Sequence, residues 1–237
     1  MVQLKAVIFG AIGVIAETSD LQRQSFNLAF DEAGLDWHWD NATYRRLLTI
    51  NGGQARLRAY DAEHSQLMPL TDALIATLHE RKTYHYTQLT QNDGLRPRAG
   101  VVELIAACQA AGVQVALCTS TSLENVNALR TALKDHINFA CFASITTIDK
   151  IAHVKPAPDA YLHCLSQLGL AANEVVAIED TPVSMASAIA AGIAVVATPG
   201  AMTDDQDFTG AAMVVDDLGE ASLAELDAAL KRVRTDN

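Results

Sequence analysis

Beyond residue 100 the chain repeats one unit, a helical apolar pattern followed by a short apolar run. Helices are expected over Val101–Ala111, from Ser122, over Pro158–Leu168 and over Thr181–Ala191, with Gly112, Gly169 and Gly192 as stops. The runs that alternate with them are Val113–Cys118, a segment near Ile137–Phe142, Glu174–Ile178 and Ile193–Ala197. A last short strand, Met213–Val215, and a helix near Leu223–Arg232 close the chain. Val7-Ile8-Phe9 is a compact run of the same kind near the N-terminus. Strands alternating with helices pair in parallel, because each crossover returns the chain to the same end of the sheet. The expected class is α/β, a doubly wound Rossmann-like parallel sheet with helices on both faces. Ligands bind such sheets at the carboxyl ends of the strands, so the residues just after each strand matter most.

Residues from about 20 to 91 break that rhythm. Phe26, Leu28, Ala29, Phe30 and Ala33 have helical spacing, as do Leu70, Leu74, Ile75 and Leu78, and no strand pattern interrupts them. An all-helical insertion is expected, with turns near Gly34, Asn51-Gly52-Gly53 and Met68-Pro69. Trp37-His38-Trp39 reads as packing inside it rather than as a stacking platform. His38, His64, His79, His85 and His153 show no metal-ligand spacing.

Composition removes several classes of partner. The 237 residues carry 17 Lys and Arg against 28 Asp and Glu, a net charge of −11, so nucleic acid is not expected. A local cationic pocket for a small anion remains compatible with that balance. No basic amphipathic stretch points to a membrane surface. Ser184 to Met202 is nearly uncharged and long enough to raise a membrane question, yet Gly192 and Pro199 interrupt it, so it reads as helix, turn and strand. Lys5 followed by the apolar run Ala6 to Ala16 imitates a signal peptide. Cys108, Cys118, Cys141 and Cys164 are dispersed and form no CxxC pair, so they are expected to be reduced core thiols of a cytoplasmic protein.

At the strand ends, Thr119-Ser120-Thr121 follow Val113–Cys118, Lys155 follows the segment ending near Ile151, and Glu179-Asp180 follow Glu174–Ile178. Each has an ordinary structural role open to it. Thr119-Ser120 can cap the next helix, Lys155 can be a surface cation, and Glu179-Asp180 can cap the helix that begins at Thr181. Gathered at one sheet edge, a hydroxyl, a lysine and a carboxylate pair make a phosphate and Mg²⁺ site.

These motifs, in this order, resemble the haloacid dehalogenase (HAD) phosphotransferase superfamily over essentially the whole chain. The branch most similar is the β-phosphoglucomutase-like one, with its CbbY-type sugar phosphate phosphatases. The phrases that carry the resemblance are AVIFGAIGVI, NGGQARLRAY, LRPRAGVVELI, VALCTSTSLENV, KPAPDAYLHCLSQLGL, VVAIEDTPVSMASAIAAG and MTDDQDFTGA. It implies an α/β core from residues 1–17 and 96–237 and a helical cap over 18–95. Val7–Phe9 would then be the central strand, which removes the signal-peptide reading. The resemblance also implies Thr119, Ser120 and Lys155 as phosphate contacts, and Mg²⁺ held by Asp180, with Glu179 and the Ile12 carbonyl in support.

Two departures from the family pattern stand out. Its first strand ends in Asp-x-Asp-Gly, the first Asp being the nucleophile and the second the general acid/base. Here the four positions read Gly10-Ala11-Ile12-Gly13, in a register held by Ala6–Phe9 before and Val14-Ile15 after. Glycine has nothing with which to attack phosphorus, and isoleucine cannot exchange a proton. Glu17 and Asp20, the nearest carboxylates, lie beyond Gly13, where the chain turns into the cap. The cap motif Gly-Gly-Lys-Glu-Arg reads Gly52-Gly53-Gln54-Ala55-Arg56, so Gln54 replaces the lysine that would grip an anion. Arg56 remains, as a substrate clamp or as an ordinary helix residue. The expectation is a catalytically inactive relative that binds phosphate or a small phosphorylated metabolite, with weak or absent Mg²⁺. Two alternatives stay open: an active phosphatase or mutase with a displaced nucleophile, and a regulator acting through a protein partner.

Overall fold

The apolar runs pair into one sheet. Its strands are β1 (Ala6–Phe9), β2 (Gln114–Cys118), β3 (Phe142–Thr146), β4 (Val175–Glu179), β5 (Ala194–Ala197) and β6 (Met213–Val214), in the order β3-β2-β1-β4-β5-β6. Every pairing is parallel. This is a computed structural model, and it describes residues 4–64, 69–92 and 94–235. Met68, half of one expected turn, lies outside them. β1 is central, with Phe9 opposite Leu117 on one side and Ile178 on the other.

Alternation along each strand divides the core in two. Val7, Phe9, Leu117, Ile178 and Val196 pack with α5 (Val101–Ala110), α6 (Leu123–Ala132) and α9 (Leu223–Thr235). Ala6, Ile8, Ala116, Ala177 and Ala197 pack with α7 (Asp159–Leu168) and α8 (Pro182–Ala190). Val7, Phe9 and Ile178 are fully buried, each contributing about 1.5–3 kcal/mol of transfer free energy. The fold is thus α/β and doubly wound.

One strand is displaced from its expected place. The segment near Ile137–Phe142 supplies a 3₁₀ turn over Phe139–Cys141, and β3 starts only at Phe142. Asn138 causes this locally, since its side-chain oxygen accepts from Ala140 N at 3.1 Å and closes the turn. The stretch Ser184–Met202 contains the body of α8, a turn and β5, and no described helix is long and apolar enough to cross a membrane.

Between β1 and α5 come α1 (Ser19–Glu32), α2 (Asn41–Leu47), α3 (Gly53–His64) and α4 (Asp72–Asn92), with no named strand among the described residues. Their core is aromatic. Trp39 is fully buried, with ring centroids 4.5 Å from Phe26, 5.1 Å from Phe30 and 5.5 Å from Tyr60. The Trp pair is therefore packing. This helical layer is tied to the sheet by Asn51 Nδ2, which donates to Lys155 O at 2.6 Å, and by Arg45, paired with Asp204 at 2.6 Å and Asp205 at 3.2 Å.

Candidate functional site

β1 and β4 are neighbours, so Gly10 and the pair Glu179-Asp180 emerge side by side at the sheet's carboxyl edge. A Cβ placed on Gly10 would sit 2.6 Å from Glu179 Oε2 and 2.8 Å from Val14 Cγ2. Glu179 thus fills the volume that any side chain at position 10 needs. Its other oxygen, Oε1, accepts from the Lys155 ammonium and from the Tyr161 hydroxyl. Lys155 Nζ also donates to Cys118 O at 3.3 Å and to Tyr161 Oη at 3.4 Å. Burial opposes the charge on Lys155, but Glu179 outweighs it and raises the ammonium pKa. Burial, and then Glu179, pushes the Tyr161 phenol well above its usual range. Lys155 is 3% exposed and is no surface cation.

Asp180 folds back over Gly13, whose φ of +81° favours glycine and whose missing Cβ would lie 1.8 Å from Asp180 Oδ2. Burial, then the charges of Glu179 and Glu17, raise the Asp180 carboxyl well above the normal carboxylate range. Neither acid caps α8; Thr181 Oγ1 does, accepting from Ser184 N at 3.2 Å. Likewise Ser122, not Thr119-Ser120, caps α6. Thr119 Oγ1 accepts from Thr121 N at 3.2 Å, and the buried Ser120 Oγ has no partner. Glu17 is occupied elsewhere: Oε1 accepts from Ser19 N at 2.8 Å and Oε2 from Ala201 N at 3.1 Å, which pins the start of α1 to the loop after β5.

A cavity of about 460 Å³ separates these strand ends from the helical layer. Gly10, Ile12, Thr119, Ser120, Lys155, Glu179 and Asp180 line its floor, and Gln22, Gln54, Arg56, His79 and Lys82 line its roof. Arg56 Nε donates to Leu47 O at 3.1 Å and Ile50 O at 2.9 Å, which turns the guanidinium toward the Tyr44 ring, 5.9 Å away. Gln22 and Lys82 were not singled out from the sequence, and His79 only as a histidine without ligand spacing. A signal existed for Lys82: it shares the inward stripe of α4 with Ile75, Leu78 and Tyr86, where an unpaired lysine is out of place. Arg98 was also missed. Its guanidinium donates to Gly13 O (2.6 Å), Thr198 O (2.7 Å), Pro199 O (2.9 Å) and Asp216 O (3.1 Å), which joins the loops behind the site.

The family model of the haloacid dehalogenase-like hydrolases matches residues 4–192. The chain belongs to this family. Protein CbbY of Rhodobacter capsulatus is 39% identical to it over 222 residues, 93% of this chain and 96% of that protein. The crystal structure of CbbY from Rhodobacter sphaeroides in complex with phosphate is 36% identical, with a TM-score of 0.88 over 95% of this chain and all of that one. A variant of that CbbY in complex with xylulose-(1,5)bisphosphate matches equally well.

HAD-like hydrolases are associated with Mg²⁺, which demands near-octahedral oxygen ligation with ionised carboxylates. The donors present do not fit it. Glu179 is committed to Lys155 and Tyr161, Asp180 is folded back over Gly13, and position 10 offers no oxygen beyond the backbone. Among the described residues, no three of His, Cys, Asp and Glu gather into a metal-holding group. What the floor offers is hydrogen bonding, from Thr119, Ser120 and the Lys155–Glu179 pair.

Proposed function

We propose that this HAD-like chain binds a phosphorylated metabolite without hydrolysing it, as an inactive relative of the sugar phosphate phosphatases. One observation carries the reading: the nucleophile position is a glycine whose side-chain volume Glu179 already fills. A nucleophile must come within roughly 3–3.5 Å of phosphorus. Glu17, the alternative, has both oxygens engaged by backbone amides and does not line the cavity. The likeness to CbbY complexes with phosphate and with xylulose-(1,5)bisphosphate supports a phosphorylated ligand. In this proposal residues 1–17 and 96–237 are the core and 18–95 the cap. Thr119, Ser120 and Lys155 form the inherited phosphate shell, Lys155 joining only when Glu179 yields. Asp180 and Glu179 hold Mg²⁺ weakly at best, and Arg56 and Gln54 face the ligand from the cap.

The test is phosphate release from a panel of sugar mono- and bisphosphates, with and without Mg²⁺, beside ligand-dependent thermal shifts. Shifts without turnover are expected. Multiple turnovers would overturn the reading, and their loss in Glu17→Gln would identify a displaced nucleophile. Neither shifts nor turnover would favour a role through a protein partner.

A further inference from the structure

One turn of the sheet layer belongs to both halves of the molecule. After β5 the chain makes the turn Gly200–Thr203, closed by Thr203 N donating to Gly200 O at 2.9 Å and by Gly200 N donating to Thr203 Oγ1 at 2.9 Å. The Thr203 hydroxyl in turn donates to Asp180 O at 2.7 Å, and Arg98 holds the carbonyls of Thr198 and Pro199 just before the turn. The base of the turn is therefore fixed to the strand ends.

Its tip is fixed to the helical layer. Met202 is buried in the cluster that Phe26, Phe30, Trp39, Tyr44 and Leu47 help to form, and among the described residues every other member comes from positions 26–78. An unbranched thioether suits an irregular gap among aromatic rings. The Ala201 carbonyl accepts from the Arg45 guanidinium, which also pairs with Asp204 at 2.6 Å and Asp205 at 3.2 Å. Ala201 N donates to Glu17 Oε2 at 3.1 Å, and a Cβ on Gly200 would lie 2.2 Å from that oxygen, so this approach requires a glycine. Lys155, which follows β3, lies toward the opposite edge of the sheet from this turn, and there the tie to Asn51 is a single hydrogen bond. The two connections between the layers, before Ser19 and after Asn92, would by themselves let the helices swing.

We propose that Gly200–Asp205 is a clasp that keeps the cavity shut without a ligand: the helical layer swings away only when Met202 leaves the aromatic cluster and Arg45 releases Asp204 and Asp205. The Arg45 pairs are exposed, so salt screens them, and ionic strength sets how often the clasp opens. The inference concerns access to the cavity and stands whatever the cavity binds.

The test needs no ligand. Hydrogen exchange of the Ala201 and Thr203 amides reads release of the turn. Acrylamide quenching of Trp37 and Trp39, the chain's two tryptophans, reads uncovering of the cluster, and ¹⁵N NMR of the Asn51 side-chain amide reads the far rim. Going from low to high KCl should speed exchange in the turn by about two- to fivefold, with quenching rising alongside. Arg45→Gln should give that increase at low salt and abolish the response to salt. Met202→Ala leaves the ion pairs in place, so it should speed exchange by about tenfold or more and keep the salt response. In both variants the Asn51 signal should move toward that of a solvated amide, while α1 and α4 keep their native exchange, which separates opening from unfolding. Should Met202→Ala not fold, Arg45→Gln, a change near the surface, decides the matter. Faster exchange in the turn with Asn51 and the tryptophans unaffected would overturn the proposal, because the turn then flaps alone and holds nothing. So would salt and variants that change nothing short of global melting, because the layers then part only by unfolding.

Discussion

Replacing Gly10 with alanine adds one methyl group and no charge, so it asks directly whether Glu179 owns that space. The new Cβ would approach Glu179 Oε2 to 2.6 Å and Val14 Cγ2 to 2.8 Å, both well inside contact distance. Backbone strain is not the issue, because Gly10 is not among the positive-φ glycines. Glu179 sits at the end of a flexible chain, but its other oxygen is held by Lys155 and Tyr161, so it cannot swing away freely. Overpacking of this kind costs about 1–3 kcal/mol, less than the roughly 3–5 kcal/mol of a fully broken buried pair. We expect Gly10→Ala to lose about 2 kcal/mol, which for a chain of this size lowers Tm by about 4–8 °C. The assay is urea and thermal unfolding of a double-mutant cycle. In a background carrying Lys155→Met and Glu179→Ala, the same Gly10→Ala change should cost only what the Val14 contact imposes. Equal costs in both backgrounds, or a cost under about 0.5 kcal/mol in the native one, would show that Glu179 does not fill the place of the missing side chain.

Three further outcomes follow from the same geometry. Gly10→Asp with Ile12→Asp should restore only slight phosphatase activity, because catalytic geometry tolerates about 0.5 Å and Glu179 must first leave; full activity would mean the site has not drifted. Calorimetric titration with Mg²⁺ should give weak binding or none, and tight stoichiometric binding would show that Glu179 is released from Lys155 at little cost. Arg98→Lys should cost about 2–4 kcal/mol by chemical denaturation, since an ammonium cannot span four carbonyls from three loops; a change within about 0.5 kcal/mol would mean that the loops hold themselves.

The sheet was legible because buried parallel strands are nearly continuous apolar runs, and Val7–Phe9, Val115–Cys118 and Val175–Ile178 are such runs. The helical layer was legible from the spacing around Phe26 and Ile75. β3 was harder, since Asn138 diverts an apolar segment into a turn that no periodicity reveals. The strand-end residues were found by position, and their ordinary alternatives failed for local reasons: Ser122 and Thr181 do the capping, and Lys155 is buried. Lys155 was expected to be available to a phosphate. That it is bound to Glu179 depends on where one carboxylate goes when residue 10 has no side chain, a three-dimensional fact with no local signature. Lys82 in the helical layer shows the reverse case, because it interrupts the apolar stripe of α4 in the sequence itself.

His79 reports on that cation cluster from within it. Its ring lies against Gly53, where a Cβ would come within 2.5 Å, on the wall that carries Lys82 and Arg56. Burial first, and then the charges of Lys82 and Arg56, depress its pKa from 6.5 to about 4. Between those values the unfolded chain holds a proton on this ring and the folded chain does not. Stability therefore rises with pH across the window and falls as pH drops from 6.5 toward 4. A shift of this size corresponds to about 2–3 kcal/mol once partial solvent contact is allowed for. His79→Gln should remove that component, so the loss of stability between neutral and mildly acid pH becomes smaller by about this amount. Carboxylates with lowered pKa values, such as Asp40 and Asp159, lose their contribution at more acid pH, and the raised Asp180 carboxyl acts with the opposite sign, so it is the difference between the variant and the native chain that isolates His79. NMR titration of the imidazole in the folded chain reads the same shift directly, and a ring that titrates near 6.5 would show that neither burial nor these two cations acts on it.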